Sequence, residues 1–159
     1  MAAPLAPTTL SFREIEFDSA DFKKECELRN EVLRLPLGLN LYDEDLAQEK
    51  DQLHFGLFDQ DHHLIACVIA VCYSPTEAKI RQMAVKAEHA GQGNGQRILQ
   101  SLEEYLADRG ITRVFMHARM SAVGFYEKLG YARINHEFAE VGIPHIRMEK
   151  QIKPTMETS

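Results

Sequence analysis

One stretch, Ala78 to Ala107, constrains the fold more than any other. Ala78 to Val85 reads as a strand and Gly91-Gln92-Gly93-Asn94-Gly95 as a tight turn. Gln96 to Ala107 reads as a helix, because Ile98, Leu99, Leu102, Tyr105 and Leu106 recur on one face. Such a turn leaves the first N–H groups of the helix without intrahelical partners, and glycine lets a ligand come close to the backbone. With the positive end of the helix dipole, those donors suit a phosphate group. A plain turn between strand and helix explains the same residues, so the stretch alone leaves both readings open.

Gly110 reads as a C-cap, and Thr112 to Ala118 as the next strand. Strand, helix and strand in sequence form a right-handed crossover, which makes the Ala78 and Thr112 strands parallel. Before this unit come a strand over Thr9–Phe17 and a helix from an Asp18 or Ser19 cap to Leu33. A short helix over Asp43–Lys50 follows, then strands over Leu53–Phe58 and Leu64–Tyr73 joined by a hairpin at Asp59-Gln60-Asp61-His62. The second of these is nearly all apolar, as expected of a strand buried on both faces. After the unit come a helix from Ser121 to Gly130 and strands over Tyr131–Phe138 and Ile143–Met148, turning at Val141-Gly142. The expectation is an α/β fold with a mixed, largely antiparallel sheet, a central parallel βαβ crossover and flanking helices. Residues 1–8 read as a flexible tail, 9–150 as one domain and 151–159 as a polar tail. Leu35 to Asn40 is an apolar loop broken by Pro36 and Gly38, which either covers a core or lines a pocket.

Composition narrows the function. The net charge of −6 argues against a nucleic-acid binder, which needs a dense basic face, and tolerates a cationic small substrate. No apolar run approaches ~18 residues, so no membrane span is expected. Met1 to Thr9 lacks the basic flank and apolar region of a signal peptide, and the cytoplasm is the expected compartment. Cys67 and Cys72 lie roughly 17 Å apart along one strand, beyond bridging distance, and all three cysteines are read as reduced. His62 and His63 are adjacent strand positions facing opposite ways, so no metal is expected.

Two signatures carry a resemblance. Gln82-Met83-Ala84-Val85 followed by the glycine turn resembles the acetyl-CoA motif of the GCN5-related N-acetyltransferases. Ala122-Val123-Gly124-Phe125-Tyr126-Glu127-Lys128-Leu129-Gly130-Tyr131 resembles the family's second signature, and the element order agrees over about Leu10 to Lys150. The resemblance implies acetyl-CoA as cosubstrate. Its pyrophosphate would rest on Gly91, Gln92, Gly93, Asn94, Gly95 and Gln96, and its pantetheine arm would pair with Met83, Ala84 and Val85 as an added strand. Arg97, Lys86 and Arg119 are candidates for phosphate charge. Two positions depart from the pattern. Ala90 stands where Arg or Gln is usual and loses a side-chain contribution, while Arg119 stands where an Asn commonly bonds the pantetheine arm.

The implied reaction is direct attack of a primary amine on the thioester, the amine belonging to a small molecule or a peptide. Tyr126 occupies the position of the general acid that protonates the departing thiolate, and a phenol with its usual pKa of ~10 holds that proton at neutral pH. An alkylammonium lies ~3.4 units above pH 7, so presenting it neutral costs about 4–5 kcal/mol and calls for a base. His117 and His145 are the candidates, with Glu140 a third; Lys79 and Arg81 on the central strand are not obvious bases. The acceptor is expected over the Arg34–Tyr42 loop and the Gly142-Ile143-Pro144-His145 hairpin. A non-catalytic acyl-CoA sensor on the same fold is the alternative. The P-loop, the Rossmann fingerprint and the serine-hydrolase elbow do not match this chain. Oligomeric state is left open, a homodimer included.

Overall fold

The computed structural model describes residues 9–153. The expected tail over 1–8, and residues 154–159 of the other tail, lie outside the described residues. Seven strands and three α-helices are present among them: β1 (Ser11–Ile15), α1 (Ala20–Leu33), β2 (Leu53–Phe58), β3 (Leu64–Cys72), β4 (Glu77–Val85), α2 (Asn94–Asp108), β5 (Arg113–Arg119), α3 (Val123–Lys128), β6 (Ala132–Glu140) and β7 (Ile143–Gln151). The strands form one sheet in the order β1-β2-β3-β4-β5-β7-β6. β4 and β5 pair in parallel from Glu77↔Arg113 to Ile80↔Met116, while β1–β2, β5–β7 and β6–β7 are antiparallel. The mixed α/β sheet with its parallel crossover is therefore the one expected. No helix among the described residues is long and apolar enough to cross a membrane.

The described residues divide into two compact units, 9–68 with Gln82–Ile98, and Ile69–Arg81 with 99–153. In the first, Ser19 caps α1 by accepting from the Phe22 N–H, and Phe22, Cys26 and Leu28 turn inward against Ile15, Phe58 and Leu64. The same unit buries an ionic network. Arg29 donates to Glu25 at 3.0 Å and to both oxygens of Glu49 at 2.8 and 2.6 Å. His54 Nδ1 lies 2.9 Å from Glu25 and its Nε2 lies 2.9 Å from the Glu49 carbonyl oxygen. Both ring nitrogens face acceptors, so the imidazolium is the form that satisfies them, and its pKa is raised. Burial pulls it down, but the Glu25 hydrogen bond and the Glu25 and Glu49 charges outweigh that.

The expected helix over Asp43–Lys50 is instead two 3-10 turns, Leu41–Asp43 and Leu46–Glu49. Asn40 and Asp45 each capture an N–H two residues on, those of Tyr42 and Ala47, and extended backbone at Glu44 separates the turns. Local side-chain bonds of this kind compete with a continuous helix. The acidic run serves specific cations: Glu44 pairs with Arg34 and Glu49 with Arg29.

In the second unit, Leu99, Leu102 and Leu106 of α2 are fully buried, as the helical spacing requires. The last strand passes the expected end at Met148 and reaches Gln151, because β5 pairs with it as far as Arg113↔Gln151. Ile152 is buried, and its N–H donates to the Thr112 carbonyl at 2.8 Å.

Candidate functional site

In the first unit, the glycine turn has the backbone its sequence calls for. Gly91 and Gly93 adopt φ of 74° and 79°, a region that costs an L-residue roughly 1–2 kcal/mol. A Cβ built on either glycine meets nothing within 4 Å, so the space over both is open. Gly91, Gln92, Gly93 and Gln96 are exposed. Asn94 is buried and its amide donates to the His89 carbonyl at 3.1 Å, closing the loop from the inside. The helix starts at Asn94, two residues earlier than the periodicity suggests, so Gly95 belongs to its first turn. The Arg97 guanidinium donates to the Leu10 carbonyl at 3.2 Å, and the Lys86 ammonium lies 3.3 Å from Glu88.

β4 reaches this turn through a kink. Gln82 sits at φ 55°, a strained value for a residue with a side chain, and Met83, Ala84 and Val85 follow. Ala84 is buried, whereas Met83 and Val85 are half-buried. The Arg34 guanidinium donates to Gln82 Oε1 at 3.1 Å and to Glu44 at 2.6 Å, tying the end of α1 and the following loop to the kink. In that loop Leu35, Leu37, Leu39 and Tyr42 are exposed.

In the second unit, the three candidate bases converge. His117 Nδ1 lies 3.0 Å from Glu140 Oε1, and His145 Nε2 lies 3.8 Å from Glu140 Oε2. The His145 Nδ1–H donates to the Ile143 carbonyl at 2.8 Å, and its side chain is 5% exposed against 28% for His117. The Phe138 ring meets His117 edge-on at 5.0 Å and stacks on His145 at 6.1 Å. The Glu140 carboxyl is held below its usual range. Partial burial pushes it up, but the His117 hydrogen bond and the His117, His145 and Lys79 charges prevail. Lys79 Nζ stands 3.4 Å from His117 Nδ1, and its pKa is lowered, chiefly by burial.

Tyr126 on α3 is 9% exposed and lies edge-on to Phe125 and Tyr131 at 5.1 and 5.9 Å. Burial pushes its hydroxyl up to about 12, against a smaller downward pull from the Arg119 charge. Arg119 closes β5, opposite His145 in the register. Two groups with metal-ligand spacing exist among the described residues, Glu25–Glu49–His54 and Asp59–Asp61–His63. Arg29 already bridges both carboxylates of the first. In the second, Asp59 accepts the N–H groups of Asp61 and His63 within its turn.

Sequence reasoning missed the partnership of Lys79 with His117. Strand parity holds the signal: in a parallel pair with Lys79 opposite Phe115, His117 lies two residues further along the same face. The Arg34–Gln82 bond joins residues 48 positions apart and has no local signature.

Comparison with known proteins fits this geometry. A family model described as an acetyltransferase (GNAT) domain matches residues 39–152. YyaT of Bacillus subtilis (strain 168) is 39% identical over 75 residues, 47% of this chain and 51% of YyaT. The chain thus spans about half the length of the curated relatives it matches. Among solved structures, Escherichia coli ElaA superposes with a TM-score of 0.76 at 18% identity, covering 89% of this chain and 99% of ElaA. An aminoglycoside 6'-N-acetyltransferase complexed with coenzyme A gives 0.73 at 18% identity, covering 92% of this chain and 99% of that one. At these identities the superpositions establish the fold alone. With the family model spanning most of the chain, this protein belongs to the GNAT acetyltransferase family.

Proposed function

We propose that the chain transfers an acetyl group from acetyl-CoA to a primary amine by direct attack. The observation that carries this reading is the Glu140–His117 pair. A carboxylate 3.0 Å from Nδ1 fixes the proton on that nitrogen and leaves Nε2 with its lone pair, the form a general base requires. His117 takes the amine's proton, the amine nitrogen attacks the thioester carbon, and the C–S bond breaks. Tyr126 gives its proton to the leaving thiolate. Burial keeps that phenol protonated throughout the working range. His145, packed and anchored to Ile143, supports Glu140 rather than taking the proton itself.

The cosubstrate's pyrophosphate rests on the backbone from Gly91 to Gln96, where open space over Gly91 and Gly93 leads into the first turn of α2, whose N–H groups have no intrahelical acceptor. Met83 to Val85 offer main-chain groups to the pantetheine arm. Coenzyme A in the superposed aminoglycoside enzyme supports this choice of donor. Arg119 and Arg97, whose guanidinium also donates to the Leu10 carbonyl, are the candidates for phosphate charge. A single soluble acetyltransferase domain acting in the cytoplasm, with a small-molecule or peptidyl amine as acceptor, completes the proposal. An acyl-CoA sensor would have no use for an imidazole held in the basic tautomer.

The test is His117→Gln. Amine-dependent thiol release should fall about 10²-fold or more while acetyl-CoA affinity stays within twofold. An unchanged rate would remove His117 as the base.

A further inference from the structure

Lys79 makes an unusual neighbour for a base. Its ammonium is half-buried, and among the described residues its hydrogen-bonding neighbour is His117 Nδ1 at 3.4 Å. That nitrogen donates its own proton to the nearer Glu140 oxygen, so it has no lone pair to offer Lys79. Both Glu140 oxygens are turned to the histidines, Oε1 to His117 and Oε2 toward His145. The Lys79 ammonium is therefore a partly buried cation that meets no carboxylate oxygen within hydrogen-bond distance among the described residues. The Glu140 charge attracts Lys79 from nearby, but its two oxygens are turned to the histidines rather than to the ammonium. Arg81 and Arg147 both act on Lys79 as like charges, and Arg147 is already paired with Glu149 at 2.7 Å while lying over the Phe115 ring.

From this arrangement we infer that the acceptor carries an anionic group, a carboxylate or phosphate, on or close to the carbon bearing its amine, and that Lys79 binds it. The inference rests on the acetyl-transfer reading with His117 as base. It follows from charge. A simple alkylammonium brought to His117 meets a like charge at Lys79, whereas an amine with its own anionic group pairs that group with Lys79 and places its nitrogen beside the imidazole. The cations around the site also favour the neutral amine, which attacks, over the ammonium, which cannot. This assigns Lys79 to specificity, with no proton transfer of its own.

Matched acceptors test it. Glycine and alanine are compared with glycinamide and alaninamide, and O-phosphoethanolamine with ethanolamine, by thiol release at saturating acetyl-CoA. The amides lose the charge but keep the shape, and their amines are weaker bases, which biases the comparison against the proposal. The expected result is that kcat/KM favours at least one class of anionic acceptor by about tenfold or more, the two pairings separating carboxylate from phosphate. Lys79→Met should bring that ratio toward one by raising KM for the anionic acceptor more than for its uncharged counterpart. Equal or better use of the uncharged amines by the wild type overturns the inference and leaves the acetyl-transfer reading standing. A loss of kcat on all acceptors alike in Lys79→Met also overturns it, because Lys79 would then act in the chemistry or the fold. Acetyl-CoA binding with no turnover of any acceptor would remove both readings together.

Discussion

Glu140 Oε1 lies 3.0 Å from His117 Nδ1 although their strands are not neighbours: β7 separates β5 from β6 in the sheet. The contact exists because Glu140 ends β6 beside the Val141-Gly142 turn, where φ values of 47° and 75° reverse the chain tightly. A residue so placed can address a strand one removed from its own.

The pair has a measurable consequence. Glu140→Gln keeps an acceptor for the Nδ1 proton but removes the carboxylate charge that supports proton uptake from the amine. We expect kcat to fall about tenfold with acetyl-CoA affinity within a factor of two, read by steady-state kinetics beside calorimetric titration. An unchanged kcat would remove Glu140 from the proton transfer.

Tyr126→Phe should lower kcat by about 10²-fold and leave acetyl-CoA affinity within a factor of two. Since burial holds the hydroxyl near about 12, the wild-type profile should show no basic limb from Tyr126 below that value. Steady-state kinetics beside calorimetric titration of acetyl-CoA checks both. Equal kcat in the variant would remove Tyr126 as the acid.

Gly93→Ala separates backbone strain from ligand contact. At φ 79° an alanine should cost about 1–2 kcal/mol of stability, with no clash inside the protein because the space above is open. That space is where the pyrophosphate is proposed to lie. KM for acetyl-CoA should therefore rise about tenfold while kcat at saturation changes little. A variant with wild-type KM would place the cosubstrate elsewhere.

Much of this was legible in the chain. Ile98, Leu99, Leu102 and Leu106 announced α2 because a 3.6-residue period needs no tertiary information, and all four are fully buried. The glycine turn was legible for the same local reason. Asp43 to Lys50 misled because the Asn40 and Asp45 side chains compete for the very N–H groups a helix would use. His117, His145 and Glu140 could each be named from sequence, but not their convergence, which depends on register across three strands and a bulge in β6 between Ile134 and Phe138.

The buried network of the first unit predicts a pH-dependent stability. The His54 pKa is raised, so its contribution is complete below the ordinary imidazole value of ~6.5 and is lost as pH rises through the higher folded-state value. Urea midpoints should fall across that window in the wild type and flatten in His54→Gln. Arg29→Met, which leaves Glu25 and Glu49 buried without their cation, should cost about 3–5 kcal/mol. A flat wild-type profile would mean that His54 does not titrate differently on folding.

Acetyl transfer from acetyl-CoA to an amine is tested by following both products at once. The wild-type protein is incubated with acetyl-CoA and the acceptor panel, and free coenzyme A and acetylated amine are quantified by mass spectrometry. Equal amounts of the two are expected, formed only when protein and amine are both present. Acetyl-CoA that binds yet acetylates no amine, or coenzyme A released without an acetylated amine, would contradict it.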